Sequence, residues 1–311
     1  MRILVAGGAG FIGSHYVRSL LAGAYPGYEG ASVTVLDKLT YAGNLANLAP
    51  VADNLRYTFV QGDIVDGALL DELVRGHDAI VNFAAETHVD RSIDGGADFV
   101  NTNVLGTQQL LQAALDAGTR TFVQVSTDEV YGTIAEGSWP EDHPLLPNSP
   151  YSAAKAGSDL LCRAYHRTHG MDVRVTRCSN NYGPYQYPEK VIPLFVTNLF
   201  EGKKVPLYGD GLNVRDWLHV DDHCRGIQIV LEKGAPGEVY NIGGGTELTN
   251  KELTERLLAA CGADWSSVEY VTDRKGHDRR YSVDITKMRG LGYEPQVSFE
   301  TGLAGAVRWY Q

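Results

Sequence analysis

The chain has 311 residues, with 27 Lys+Arg against 38 Asp+Glu and a formal net charge of −11. Hydrophobic residues at 43% and charged residues at 21% are globular proportions, which exclude disorder and fibrous repeats. The acidic balance argues against a nucleic-acid backbone as partner, although a local basic pocket can still hold a phosphate.

The length allows about two domains, or one large α/β unit with an added lobe. Cys162, Cys178, Cys224 and Cys261 form no CxxC pair and no metal-ligand spacing, so buried free thiols and no metal are expected. The opening MRILVAGGAGFIGS lacks a cationic segment followed by a long apolar one, and no later run approaches a membrane span. A cytoplasmic protein with no membrane partner is the expectation.

In chain order, strands are expected at Ile3–Ala6, Val33–Leu36, Tyr57–Val60, Ala79–Phe83, Thr121–Val125 and Val173–Arg177. Helices are expected between them at Ile12–Leu21, Ala68–Val74, Thr102–Ala117 and Ser152–His169. Near-continuous apolar strands joined by such crossovers signify a parallel sheet covered on both faces. The fold class is therefore α/β, a doubly wound, Rossmann-type parallel sheet. After Arg177 the chain turns rich in Gly, Pro, Tyr and Asn, and helices are expected at Asp221–Glu232 and Asn250–Cys261 with a strand at Glu238–Ile242. Residues 1–177 are read as the nucleotide-binding domain and 178–311 as a smaller, mixed C-terminal lobe, with room for later segments to return to the first domain.

Gly7, Gly10 and Gly13 follow the first strand and open the first helix. Glycines there permit a tight turn and close backbone approach to a pyrophosphate at the helix N-terminus. Asp37 ends the second strand, where a carboxylate accepts from an adenosine ribose and repels a 2′-phosphate, favouring NAD over NADP. Lys38, next in the chain, blunts that discrimination. Asp63 and Ile64, past the third strand, fit either an adenine edge or a helix N-cap.

Tyr151 and Lys155 stand four apart at a helix start, which stacks them on one face. A phenol with a reference pKa near 10 becomes a usable base only when neighbouring positive charge favours the phenolate. Ser126, Thr127, Asp128 and Glu129 follow the fifth strand, at the carboxyl edge where ligands of such sheets bind. Adjacent Asp and Glu can divide acid and base work if their surroundings separate their pKa values.

The stretches GGAGFIGS, LDKLTYAGN, FAAETHVDRS, STDEVYG, SPYSAAKAGSD, RCSNNYGPYQYPEK, NVRDWLHVDDH and RKGHDRRY run through nearly the whole chain. With them the sequence resembles the extended short-chain dehydrogenase/reductases, and among these the dTDP-glucose 4,6-dehydratases. Sugar-nucleotide epimerases share the glycines and YxxxK but generally lack the Asp–Glu pair. Ala6 and Lys275 depart from the family pattern, as does Thr87, which keeps the hydroxyl of the usual serine.

The resemblance implies an NAD-dependent hydro-lyase acting on dTDP-glucose. Tyr151, Lys155 and Thr127 would serve C4 oxidation, Glu129 would take the C5 proton, and Asp128 would protonate the departing C6 hydroxyl. It further implies cofactor contacts from Gly7, Gly10, Phe11, Ile12, Gly13, Asp37, Lys38, Thr40, Asp63, Ile64, Phe83, Ala84, Ala85, Thr102, Tyr151, Lys155 and Asn181. Thr87, Thr127, Asn180, Lys190, Val191, Pro206, Tyr208, Arg215, Asn250, Arg274 and His277 would hold the sugar nucleotide. A homodimer through helices 102–117 and 152–169 is implied as well. The alternatives are an NAD-dependent 4-epimerase, a dehydratase of another nucleotide sugar, and a non-catalytic nucleotide sensor.

Overall fold

The computed structural model describes residues 1–311. Strands β1 (Arg2–Ala6), β2 (Ser32–Asp37), β3 (Tyr57–Gln61), β4 (Ala79–Asn82), β5 (Thr121–Thr127) and β6 (Val173–Cys178) form the parallel sheet expected. Three short strands follow, β7 (Asn180–Tyr182), β8 (Val205–Tyr208) and β9 (Val214–His219). Then come β10 (Val239–Ile242), β11 (Glu247–Thr249) and β12 (Val268–Val271). The large sheet runs β10-β6-β5-β4-β1-β2-β3, so the strand order reverses between β1 and β4. Ligands of open parallel sheets bind at the carboxyl ends beside that reversal.

Alternation along each strand fills both faces. Ile3, Val5, Val33, Val35, Val81 and Val123 enter one core cluster, beneath helices Phe11–Leu21 and Val220–Lys233. Leu4, Ala6, Leu36, Ile80 and Phe122 enter the other, beneath Thr107–Ala117 and Pro150–His169. Burial on both faces removes the polar positions of a half-exposed strand, hence the unbroken apolar runs. A third cluster, with Tyr182, Phe195, Trp217, Leu253, Leu257 and Phe299, forms the core under the small sheet β11-β9-β7.

The strand expected at 238–242 pairs with β6 and completes the large sheet. The helix before it is tied down at its end, where Arg174 donates to the carbonyls of Val230 and Leu231, both at 2.8 Å. A cation on the last carbonyls of a helix suits its dipole. The helix expected from Thr102 begins instead as a π-helix, Val100–Gly106, and becomes α-helical at Thr107. Gly106 faces Ile64, and a Cβ there would lie 2.6 Å from the isoleucine side chain, so the wider turn passes against that loop without a side chain. Short helices Val89–Asp94 and Ala97–Phe99 have no counterpart in the periodicity of the sequence. No helix is long and apolar enough to cross a membrane.

Candidate active site

One groove runs along the carboxyl edge of the large sheet. Its lining includes Gly7, Gly10, Phe11, Ile12, Gly13, Asp37, Lys38, Thr40, Asp63, Ile64, Phe83, Ala84, Ala85, Thr102, Tyr151, Lys155 and Asn181. The same lining contains Thr87, Thr127, Asp128, Glu129, Asn180 and Lys190. Elements more than a hundred residues apart thus supply one surface.

At one end the glycines form a cradle. Gly7 has φ +74°, and a Cβ on it would stand 2.5 Å from the Ala84 nitrogen; a Cβ on Gly13 would stand 2.4 Å from the Gly7 carbonyl. Gly10 begins the helix with no side-chain cap, leaving its first N–H groups free for an anion. Asp37 accepts from the backbone of Ala9 at 2.9 Å and of Leu39 at 2.8 Å, while burial pushes its pKa up. Lys38 pairs with Asp63 at 2.7 Å, so its charge is neutralised within the protein rather than held for a 2′-phosphate. Asp66, not Asp63, caps the next helix; Asp63 accepts from Val65 N–H at 3.2 Å and faces the groove.

At the other end lies the acid–base cluster. Ser149 and Ser152 form a capping box around Pro150, which starts the helix where Tyr151 and Lys155 fall side by side. Lys155 Nζ donates to the Val125 carbonyl at 2.7 Å. Burial drives the Tyr151 phenol well above its usual value, Glu129 and Cys178 add to this, and a hydrogen bond to Thr127 opposes it. In the chain alone burial dominates, so a phenolate here needs the neighbouring positive charge that the sequence reading called for.

Thr127 accepts from Glu129 N–H at 3.2 Å and donates to Asp128 Oδ1 at 3.4 Å, which starts the 3₁₀ turn Asp128–Tyr131 and turns both carboxyls inward. Burial, Glu129 and then Asp216 raise the Asp128 carboxyl well above the usual range. Burial also raises Glu129, with Arg274, Lys190 and Arg215 opposing the rise without cancelling it. Both carboxyls are raised, but acidic neighbours outweigh Arg215 around Asp128 and basic ones outweigh Asp278 around Glu129, a difference in the direction that divided acid and base roles require.

The remaining expected residues lie outside the groove lining. Arg215, on β9, donates to the carbonyls of Val214 and Asp278 and stacks 4.1 Å over the Tyr281 ring. Arg274 stands 3.7 Å from Asp90, and Tyr208 meets His277 edge-on at 6.4 Å. Val191 and Asn250 open helices of the lobe, and Pro206 lies within β8. Sequence reasoning passed over Cys178, Ser179, Gln186, Tyr187 and Glu189, which also line the groove. Their signal was the carboxyl end of β6 and the turn that follows it.

Several buried polar atoms of the groove have no partner: Ser126 Oγ, Asp128 Oδ2, Asn180 Oδ1 and Gln186 Oε1. Buried polar groups left unpaired along one groove suit a polar ligand. With the glycine cradle and Asp37 they fit a dinucleotide at one end and a hydroxylated substrate at the other.

The family model described as GDP-mannose 4,6 dehydratase matches residues 4–305. The dTDP-glucose 4,6-dehydratase of Streptomyces niveus is 63% identical over all of this chain and 93% of its own length. The chain belongs to the dTDP-glucose 4,6-dehydratase family. Within that family, the Streptomyces venezuelae enzyme DesIV, solved with NAD bound, superposes with a TM-score of 0.99 at 68% identity, covering 100% of this chain and 97% of that one. A UDP-glucose 4-epimerase from Thermotoga maritima also superposes, with a TM-score of 0.91 at 34% identity over 100% and 98% of the two chains. The backbone is thus common to proteins named for both chemistries.

Proposed function

We propose that the protein converts dTDP-glucose to dTDP-4-keto-6-deoxyglucose, with NAD regenerated in each turnover. The observation that carries this is the buried Asp128–Glu129 pair in the same groove as Tyr151 and Lys155. Residues 1–177 chiefly hold NAD, and 178–311 chiefly hold the sugar nucleotide, with 220–242 built into the first unit. When bound, NAD accepts a hydride from C4, returns it to C6, and brings the positive ring charge that favours the Tyr151 phenolate. The glycine cradle, Asp37 and Asn181 hold it.

Tyr151 takes the proton of the 4-hydroxyl, which Thr127 orients, and the ketone so formed acidifies C5. Glu129 removes the C5 proton as Asp128 protonates the departing C6 hydroxyl, expelling water. Glu129 exchanges that proton with solvent and then delivers one to C5. The proton gained by Tyr151 and the one lost by Asp128 balance over the cycle. Lys190, Arg215 and Arg274 supply positive charge for the diphosphate, with Arg offering the forked geometry that suits it. Cysteines that are all free suit a reducing cytoplasm.

Mass detection of water loss from dTDP-glucose tests the overall reaction, and turnover in D₂O tests its route. Elimination across C5 and C6 must place solvent deuterium at C5. A product without it removes the dehydratase mechanism and leaves an epimerase-like reaction.

A further inference from the structure

Behind the groove, the helix Val220–Lys233 carries His223, which is wholly buried and which the chemistry above does not use. Its Nδ1 lies 2.8 Å from Asn181 Oδ1. Asn181 Nδ2 donates to the Ser179 carbonyl at 3.0 Å, and a carbonyl can only accept, so the orientation of the amide is settled. Its oxygen therefore faces the imidazole, and Nδ1 must carry the proton. The other ring nitrogen, Nε2, is buried without a partner, and burial lowers the imidazole pKa to about 3. His223 is thus a neutral ring held in one tautomer.

Asn181 is fixed from a second side as well, since Gln186 Nε2 donates to its backbone carbonyl at 2.9 Å. One amide hydrogen of Nδ2 is taken by Ser179, and the other has no partner in the chain. Asn181 lines the groove together with Tyr151, Lys155 and Cys178. We infer that His223 is a positioning residue for the cofactor: it locks the Asn181 amide so that its free N–H is offered to the groove as a donor to the dinucleotide. The inference rests on the NAD reading above. Without the Nδ1 donor, the part-buried Asn181 Oδ1 would be left unpaired, and the amide would gain reason to rotate.

The test is exchange of bound NAD for isotopically labelled NAD in the full-length holoenzyme, with melting followed in parallel. Asparagine places a donor near the position of Nδ1, whereas glutamine carries it one atom farther and leucine removes it. His223→Leu and His223→Gln are expected to exchange about tenfold faster, and His223→Asn to stay within about threefold of wild type. In an Asn181→Ala background, His223→Leu should add nothing further. Wild-type exchange in His223→Leu would overturn the inference, as would His223→Asn exchanging as fast as His223→Leu. Should the leucine variant not fold, equal rates in the asparagine and glutamine variants would overturn it. Wild-type protein that neither retains nor binds NAD removes the cofactor reading itself, and this inference with it.

Discussion

Asp128 and Glu129 are neighbours in the chain, yet the charges acting on the first are mostly acidic, Glu129 and Asp216 against Arg215, and those on the second mostly basic, Arg274, Lys190 and Arg215 against Asp278. Replacing each therefore has a different consequence. Glu129→Gln should permit C4 oxidation and stall before elimination, so that reduced-nicotinamide absorbance rises and persists. Asp128→Asn should also oxidise C4, with elimination slowed roughly 10²–10⁴-fold, as expected for loss of a general acid. Tyr151→Phe should give no such absorbance, because the first step fails; a signal equal to that of Glu129→Gln would remove its assignment as base. The same burial predicts a pH effect on stability. The folded-state pKa of Asp128 lies above its unfolded value, so its contribution is complete below the unfolded pKa and is lost as pH rises through the folded one. Asparagine cannot ionise, and Asp128→Asn should melt about 2–4 °C above wild type in mildly alkaline buffer, with the gap closing towards pH 4. A gap that widens on acidification would contradict the sign.

At the scale of elements, the parallel sheet and its crossover helices were legible because double-sided burial writes apolar runs and helices write their own periodicity. The glycine cradle and the Tyr151–Lys155 pair were legible because spacing alone puts them at a helix start. What stayed hidden depends on partners distant in sequence. Lys38 was open to a phosphate until Asp63 appeared beside it, and the Tyr151 phenol is set by burial that no spacing reveals. A return of later segments to the first domain was left open, but that β10 would be the one to pair with β6 was not readable, since a four-residue strand does not specify its neighbour. The joint between these parts includes Arg177 on β6, which pairs with Asp159 of the helix Pro150–His169 at 2.9 Å and donates to Tyr131 Oη at 2.8 Å. Both charges are nearly inaccessible, with side chains 6% and 2% exposed. Asp159→Ala would leave a buried guanidinium without its counter-ion, and an unfolding titration should show a loss of about 3–5 kcal/mol. A loss under about 1 kcal/mol would mean that water reaches the pair and that it does not clamp the active-site helix to the sheet.

For the molecule as a whole, we propose a homodimer through helices 102–117 and 152–169. Gln108 donates to Tyr165 Oη at 3.0 Å, and that hydroxyl donates to Gln112 at 2.9 Å, so the two helices are held as one unit. Val100 and Leu105 of the π-helix and Leu160 of the helix Pro150–His169 are nevertheless exposed, at 56%, 44% and 57%. Two such pairs, packed about a two-fold axis, would bury these side chains in a four-helix contact, the self-complementary arrangement of a symmetric dimer. The same elements carry Thr102, Tyr151 and Lys155 into the groove, so the interface would also stiffen the helices that position the chemistry. Leu160→Arg tests this cleanly. Because the residue is exposed within one chain, the change should cost the monomer no more than about 0.5 kcal/mol, whereas two arginines facing each other across the axis would oppose association. Light scattering at micromolar concentration should give twice the 33.9 kDa chain mass for wild type and a single chain mass for Leu160→Arg, with the melting temperature falling as association is lost. Wild-type protein at a single chain mass would refute the dimer, and a variant that stays dimeric would move the contact to another face.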